Sequence, residues 1–280
     1  MVFIDWLKCY QVFEHRLPFV SPRGGTIPVS FESGEVVLSH GVNQRKFPFT
    51  ASYNTQINVT VSENTIFIDG NPSSFNRPDN LFGISSIDDA VLLYNSILKK
   101  LGLPVFTKNT GYKYLNPISG GEIRRVGNGL RFQRIDLTQN FSINSDSIQA
   151  YINALSTLPI KRIRPNTFDN GNSVTWSSKR LYRKIYGKSE QMKLKVLPKI
   201  SRKFGVESEH YKIAKRVQEY CEKNGVVRSE IEFKSDFLNE NGCEYWGNDL
   251  SKMYDEFISF TQLDKRIKAI DMKTENIAEH

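Results

Sequence analysis

The run Leu130 to Asn140, L-R-F-Q-R-I-D-L-T-Q-N, alternates apolar and polar side chains and breaks step only at Gln133. A period of two belongs to a strand with one face on a core and the other turned away from it, and a helix cannot use it. The chain must therefore build a sheet around this segment. Its polar face carries Arg134, Asp136 and Thr138 together, so an acid is aimed off the sheet.

Other segments supply the partners. Val2 to Phe13 is rich in β-formers and is closed by Pro18, Pro22, Gly24 and Gly25, which predicts a largely buried strand with Asp5 inside it. Thr26–Phe31 with Val36–His40, and Gln56–Val61 with Thr65–Asp69, read as hairpins. Ser173–Trp176 and Arg180–Tyr186 form a third hairpin after the turn Asp169-Asn170-Gly171-Asn172, and Val226–Lys234 is a last strong strand. Ser86 caps a helix that stops at Gly102 and Pro104, and Asn144 or Ser145 caps a second that ends before Pro159. Val105 to Gly121 has no period and reads as a loop. Lys193–Lys203 is helical in propensity but interrupted by Pro198; Glu207–Glu222 and Leu250–Leu263 are helices. The fold class that follows is α+β, a mainly antiparallel β-sheet flanked by α-helices with a short helical C-terminal region. The domain expectation is a catalytic unit over 1–235, divisible into similar halves 1–104 and 122–235, and a helical extension with a polar tail over 236–280.

A net charge of +8 favours an anionic partner: nucleic acid, an acidic membrane surface or an acidic protein. Aromatic residues at 12% tilt the choice toward nucleic acid, because bases stack on exposed rings. Cys9, Cys221 and Cys243 are far apart, which argues against a zinc module or disulfide framework and fits a reducing cytoplasm. The N-terminus is not a secretory signal, and no apolar stretch approaches the roughly 18 residues of a membrane span, so a soluble protein is expected.

The chemistry-bearing stretch is Ser173 to Lys188, S-V-T-W-S-S-K-R-L-Y-R-K-I-Y-G-K. Tyr182 and Tyr186 share a face whether the segment is strand or helix. Lys179, Arg180, Arg183, Lys184 and Lys188 surround them, cations that hold phosphate and lower the cost of forming phenolate. The plainer alternative is a pair of half-buried strand aromatics beside solvated charges. Asp136, Glu230 and Glu232 project from neighbouring strands, where carboxylates either hold Mg²⁺ or Mn²⁺ for attack by a tyrosine oxygen on phosphorus or make structural ion pairs. Lys161, Arg162, Arg164, Arg180 and Arg183 are candidate phosphate contacts. The loop N-P-S-S-F-N-R-P-D-N-L-F-G offers Arg77, Phe75 and Phe82 to nucleic acid, or packs as an irregular connection with buried Phe.

The ordered segments F-I-D-W-L, G-N-P-S-S-F-N-R-P-D-N-L-F-G, R-I-D-L-T, S-V-T-W with R-K-I-Y-G-K, and V-V-R-S-E-I-E-F-K resemble the gene II family of filamentous-phage replication initiators. The resemblance spans most of residues 2 to 262, and R-K-I-Y-G-K is also similar to the R-I-Y-x-K element of plasmid rolling-circle initiators. It implies a rolling-circle initiator nuclease-like fold and an endonuclease that nicks one strand of duplex origin DNA, joins a tyrosine to the 5′ phosphate, leaves a 3′ hydroxyl for host polymerase and later rejoins the displaced strand. Its partners would be origin DNA, duplex and single-stranded, and host replication proteins in the cytoplasm of a bacterial host. By motif, Tyr186 is the implied nucleophile with Tyr182 in reserve, Lys188 its cationic neighbour, Asp136 and Glu230 the metal ligands with Glu232 a less certain third, and Arg228 a phosphate or carboxylate partner. Arg134 and Lys184 join the implied DNA contacts. The chain departs from many rolling-circle nucleases in having only His15, His40, His210 and His280 and no H-x-H pair, so a carboxylate-dominated site must substitute. It also stops soon after the Leu250 helix, where longer gene II relatives continue, and reduced origin recognition or rejoining is the expectation. The alternative of another class is a non-catalytic origin binder or repressor; a tyrosine recombinase lacks its arginine and histidine pattern here.

Overall fold

The computed structural model describes residues 1–17, 44–50, 56–77, 79–115, 124–263 and 265, with backbone alone at 44–50 and 124. The expected hairpin Thr26–Phe31 with Val36–His40 lies outside the described residues, as does the tail beyond 265.

The alternating run becomes β7 (Arg131–Ser142), one of nine strands in a wholly antiparallel sheet. β1 (Val2–Val12) pairs with β7 on one side and with β4 (Thr65–Gly70) on the other. β3 (Gln56–Ser62) and β2 (Gln44–Thr50) extend that edge. Across β7, β11 (Val226–Lys234), β10 (Leu181–Gly187), β9 (Ser173–Ser177) and the short β8 (Asn166–Phe168) complete the order β2-β3-β4-β1-β7-β11-β10-β9-β8. The stretch Val105 to Gly121, expected to be a loop, contains β5 (Tyr112–Leu115), which pairs antiparallel with β6 (Arg124–Gly127) just beyond it in a separate two-stranded sheet. Four-residue strands are too short to show a period.

Two bulges in the β1–β7 pair explain two oddities of the sequence. Lys8 faces Arg134 and Cys9 faces Phe132, so Gln133 is the unpaired extra residue, and this is why the alternation breaks there without losing the core face. Ile4 faces Leu137 and Trp6 faces Asp136, so Asp5 is the second extra residue.

One face of the sheet is apolar. Ile4, Leu7, Ile135, Leu137, Ile231, Phe233, Ile185, Val174 and Trp176 are all at most 2% exposed there. They belong to one continuous core with residues of α1 (Ile87–Lys100), α2 (Ile148–Leu155), α6 (Ser235–Glu240) and α7 (Ser251–Thr261). Each fully buried aliphatic or phenyl side chain contributes about 1.5–3 kcal/mol by leaving water. Ser86 accepts a hydrogen bond from the Asp89 amide, capping α1 as its sequence predicts, and the Tyr94 hydroxyl donates to the carbonyls of Leu7 and Gly70, tying α1 to β1 and β4.

Between β10 and β11 the chain inserts a helical unit: α3 (Lys188–Gln191), a π-helical turn at Met192–Val196, α4 (Leu197–Phe204) and α5 (Glu209–Lys223). Pro198 does not interrupt this unit: the helix runs on through it, with the π-helical turn Met192–Val196 placed just before it.

Candidate active site

The other face of the sheet is polar. Strand pairing arranges it in rows: Tyr186 opposite Arg228 opposite Asn140; Lys184 opposite Glu230 opposite Thr138; Tyr182 opposite Glu232 opposite Asp136 opposite Trp6. Period two therefore brings most of the predicted residues onto one surface, but in two separate groups.

The first group surrounds Tyr186. Its hydroxyl donates to Glu230 Oε1 at 2.6 Å, and the residue is 5% exposed. Burial pushes the phenol well above its ordinary value, and the negative charges of Glu230 and Asp5 push it the same way, while Arg228 pulls against them and loses. This corrects the expectation that the local cations ease phenolate formation: desolvation outweighs them, and the phenol needs a proton acceptor. Glu230 is placed to be one.

Arg228 is completely buried; its Nε donates to Asn140 Oδ1 at 2.7 Å and one terminal nitrogen donates to the Asn80 carbonyl. Its other terminal nitrogen, Nη1, is 3.8 Å from Glu230 Oε1 and has no hydrogen-bond partner; the buried Thr138 hydroxyl has none either. Lys188 opens α3, is 4% exposed and donates to Gln191 Oε1 at 3.1 Å. Burial, reinforced by the Arg228 charge, brings its ammonium down to about 7. The Lys184 ammonium lies 4.2 Å from the Tyr186 ring centroid, and burial lowers it too.

The second group centres on Asp136. Arg134 grips it with Nε at 2.7 Å and Nη2 at 2.5 Å, and also reaches Glu232 at 3.1 Å. Burial pushes the Asp136 carboxyl up to about 7 against the pull of Arg134. Trp6 stands beside them, its indole N–H donating to Asp69 Oδ1 at 2.6 Å and its ring 5.5 Å from the Arg134 guanidinium. Trp6, Asp69, Arg134 and Glu232, together with Lys8, Lys179 and Lys234, line an open groove of about 590 Å³.

The carboxylates named from the sequence as metal ligands thus do not converge: Asp136 and Glu232 are held by Arg134, and Glu230 by Tyr186. Among the described residues no three His, Cys, Asp or Glu side chains gather closely enough to cage an ion. Asp5 is the acid the sequence left unassigned. Asn71 and Asn80 donate to its Oδ1 at 2.8 and 3.2 Å, and its charge bears on Tyr186, Lys188 and Arg228. Asp5 and Glu230 are oxygen donors of the type Mg²⁺ or Mn²⁺ would take, one or two protein carboxylates beside substrate oxygens. Asp5 was legible only as an acid inside a strand; the bulge that turns it to the site has no sequence mark.

The cations scatter more widely than expected. Arg183 has the parity of Leu181 and Ile185, so it enters the core face, where it is 2% exposed and ion-paired with Glu256 of α7. It is not on the surface a phosphate would meet. Lys161 pairs with the same Glu256 at 3.7 Å, so the K-R-I-R segment belongs to that side of the sheet, with Arg162 and Arg164 exposed. Arg180 is bound to Glu240 at 2.6 Å. In the loop, Phe75 packs into the main core, whereas Phe82 is 62% exposed.

A model of the N-terminal region of the phage replication-associated proteins encoded by gene II matches residues 3–252. The chain belongs to this family. The gene II replication-associated protein of Escherichia phage If1 is 34% identical over 236 residues, which cover 80% of this chain and 71% of that relative. A solved rolling circle replication initiator protein from Geobacillus stearothermophilus aligns with 83% of this chain and 74% of its own at 11% identity and a TM-score of 0.28, too distant to bear on the site. Membership of the gene II family agrees with the order of motifs from F-I-D-W-L to S-E-I-E. None of the described helices is long and apolar enough to cross a membrane.

Proposed function

We propose that this gene II family chain starts rolling-circle replication in the bacterial host cytoplasm by nicking one strand of duplex origin DNA through Tyr186, with host replication proteins extending the freed end. The observation that carries this reading is the 2.6 Å hydrogen bond from the Tyr186 hydroxyl to Glu230, beside Arg228 Nη1, which makes no hydrogen bond.

Glu230 accepts the phenol proton as Tyr186 Oη bonds to phosphorus. The bond from phosphorus to the 3′ oxygen breaks, and the Lys188 ammonium, poised near neutrality, gives that oxygen its proton. Arg228 Nη1 and the Thr138 hydroxyl are free to donate to the phosphoryl oxygens as charge builds on them. Asp5 and the second oxygen of Glu230 are the donors that would hold Mg²⁺ or Mn²⁺, which supplies Lewis-acid polarisation of the phosphate when bound. The reverse sequence, with the 3′ hydroxyl as nucleophile and Tyr186 as leaving group, rejoins the strand. Phosphate contacts to exposed lysines and arginines, origin duplex or displaced strand, anchor the DNA.

The deep burial of Tyr186 favours a second reading, a non-catalytic origin binder or repressor on the same fold. Incubation with supercoiled origin plasmid and Mg²⁺ separates the two. The nickase reading expects a nicked circle and a covalent adduct mapping to the peptide with Tyr186, both lost in Tyr186→Phe. Binding without any adduct leaves only the second reading.

A further inference from the structure

Tyr186 is 5% exposed, and one loop is attached to the residues beside it. The base of the loop after β4 is fixed to β1: the Ser73 hydroxyl donates to the Ile4 carbonyl at 2.5 Å and accepts from the Ile84 amide at 2.9 Å, and the Ile4 amide donates to Ile84 O at 2.8 Å. Gly83 completes this base, since a Cβ there would lie 2.2 Å from Ser73 Oγ and 2.5 Å from the Phe3 ring.

The tip, Asn80 to Phe82, is attached differently. Its carbonyl oxygens are held by the site itself: Asn80 O by Arg228, Leu81 O by Asn140 at 2.5 Å. The Asn80 side-chain amide donates to Asp5. Leu81, 9% exposed, enters a small apolar cluster with Met192, Cys221 and Val226 that is separate from the main core, while the neighbouring Phe82 ring stays exposed. Two successive carbonyl oxygens therefore rest on Arg228 and on its partner Asn140, beside the Arg228 Nη1 left for a phosphodiester.

From this geometry we infer that residues 80–82 are a lid, whose carbonyl oxygens are bound to the Arg228 and Asn140 side chains next to the phosphate position and whose Leu81 latch must leave its cluster before a strand reaches Tyr186. This rests on the assignment of the Tyr186 site as the DNA site. The lid costs affinity, because DNA binds only the open fraction. The exposed Phe82 gives the displaced tip a ring on which a base can stack.

Cys221 reports the latch directly. It is buried in Leu81's cluster, whereas Cys9 and Cys243 are buried in the main core. Alkylation mapped cysteine by cysteine, with and without saturating oligothymidylate, should show Cys221 labelled about tenfold faster with the oligonucleotide and Cys9 and Cys243 unchanged. Leu81→Ser should raise Cys221 labelling without DNA and tighten oligothymidylate binding about tenfold; protected Cys9 and Cys243 show that its core is intact. Equal Cys221 labelling in wild type and Leu81→Ser, unchanged labelling under bound oligothymidylate, or unchanged affinity in the variant would each overturn the lid. Tyr186→Phe, which cannot form an adduct, should open normally. Opening in that variant with no adduct from wild type would sink the nickase reading and leave the lid standing.

Discussion

The polar face of the sheet holds two clusters of carboxylate, arginine and aromatic ring, and they are built to opposite ends. Around Asp136 the arginine is spent: Arg134 binds both Asp136 and Glu232, and the groove beside Trp6 is open. Around Tyr186 the arginine keeps one terminal nitrogen without a hydrogen bond, 3.8 Å from Glu230, and the carboxylate is hydrogen-bonded to a phenol. An acid with both oxygens held by a bidentate guanidinium has little left to offer a metal, whereas one bound to a buried phenol is placed to take its proton. Residue types alone rank the two clusters equally; their pairing ranks them.

The largest test of this contrast exchanges one carboxylate in each cluster. Glu230→Gln should reduce nicking by about 10²–10⁴-fold with DNA affinity kept, the range expected for loss of a general base. Asp136→Asn should change the rate far less, and equal losses in single-turnover assays would erase the distinction.

A smaller effect is expected in the pH profile. Lys188 falls to about 7 when buried, so its ammonium is present below that pH and lost above it. The nicking rate should fall as pH rises beyond about 7, and Lys188→Arg, which keeps its charge, should lack that limb. A wild-type profile still rising between pH 7 and 9 would remove Lys188 as the proton donor.

Stability offers a subtler contrast. Folding raises Asp136 from its ordinary 3.8 to about 7, so the native state holds the proton more tightly, and stability present at low pH is lost as pH rises through about 7. Denaturant midpoints of Asp136→Asn should lack that decline; identical slopes for wild type and variant would show that Arg134 fully compensates the burial. Least of all should change on Tyr182→Phe, which sits opposite Glu232 in the Arg134 cluster: adduct formation should stay within roughly twofold, as for substitutions away from a site. A larger loss would join the clusters into one site.

Much of the scaffold was legible locally. The strands Val226–Lys234 and Ser173–Tyr186, the Ser86 helix and the Gln56–Asp69 hairpin all announce themselves through period, cap or turn. The core-facing Arg183 was legible too, since it shares parity with Leu181 and Ile185, but the density of charge around it drew the reading toward phosphate. The loop from Asn71 to Gly83 carried its residues plainly and its purpose not at all: whether Phe75 or Phe82 is buried depends on what the loop lies against.

By itself the sequence determined the alternation of Leu130–Asn140, hence a sheet with one polar face, and the order of motifs that marks the gene II family. It also determined which side chains that face would offer, because parity along a strand is a local property. Only the tertiary structure decided which of them meet. Register between strands placed Glu230 on Tyr186 and brought Glu232 to Arg134, a bulge set Asp5 apart from the strand pairing, and a loop more than a hundred residues before Tyr186 bonded to Arg228 beside it. Those are contacts between distant segments, fixed by burial and pairing that no single segment encodes.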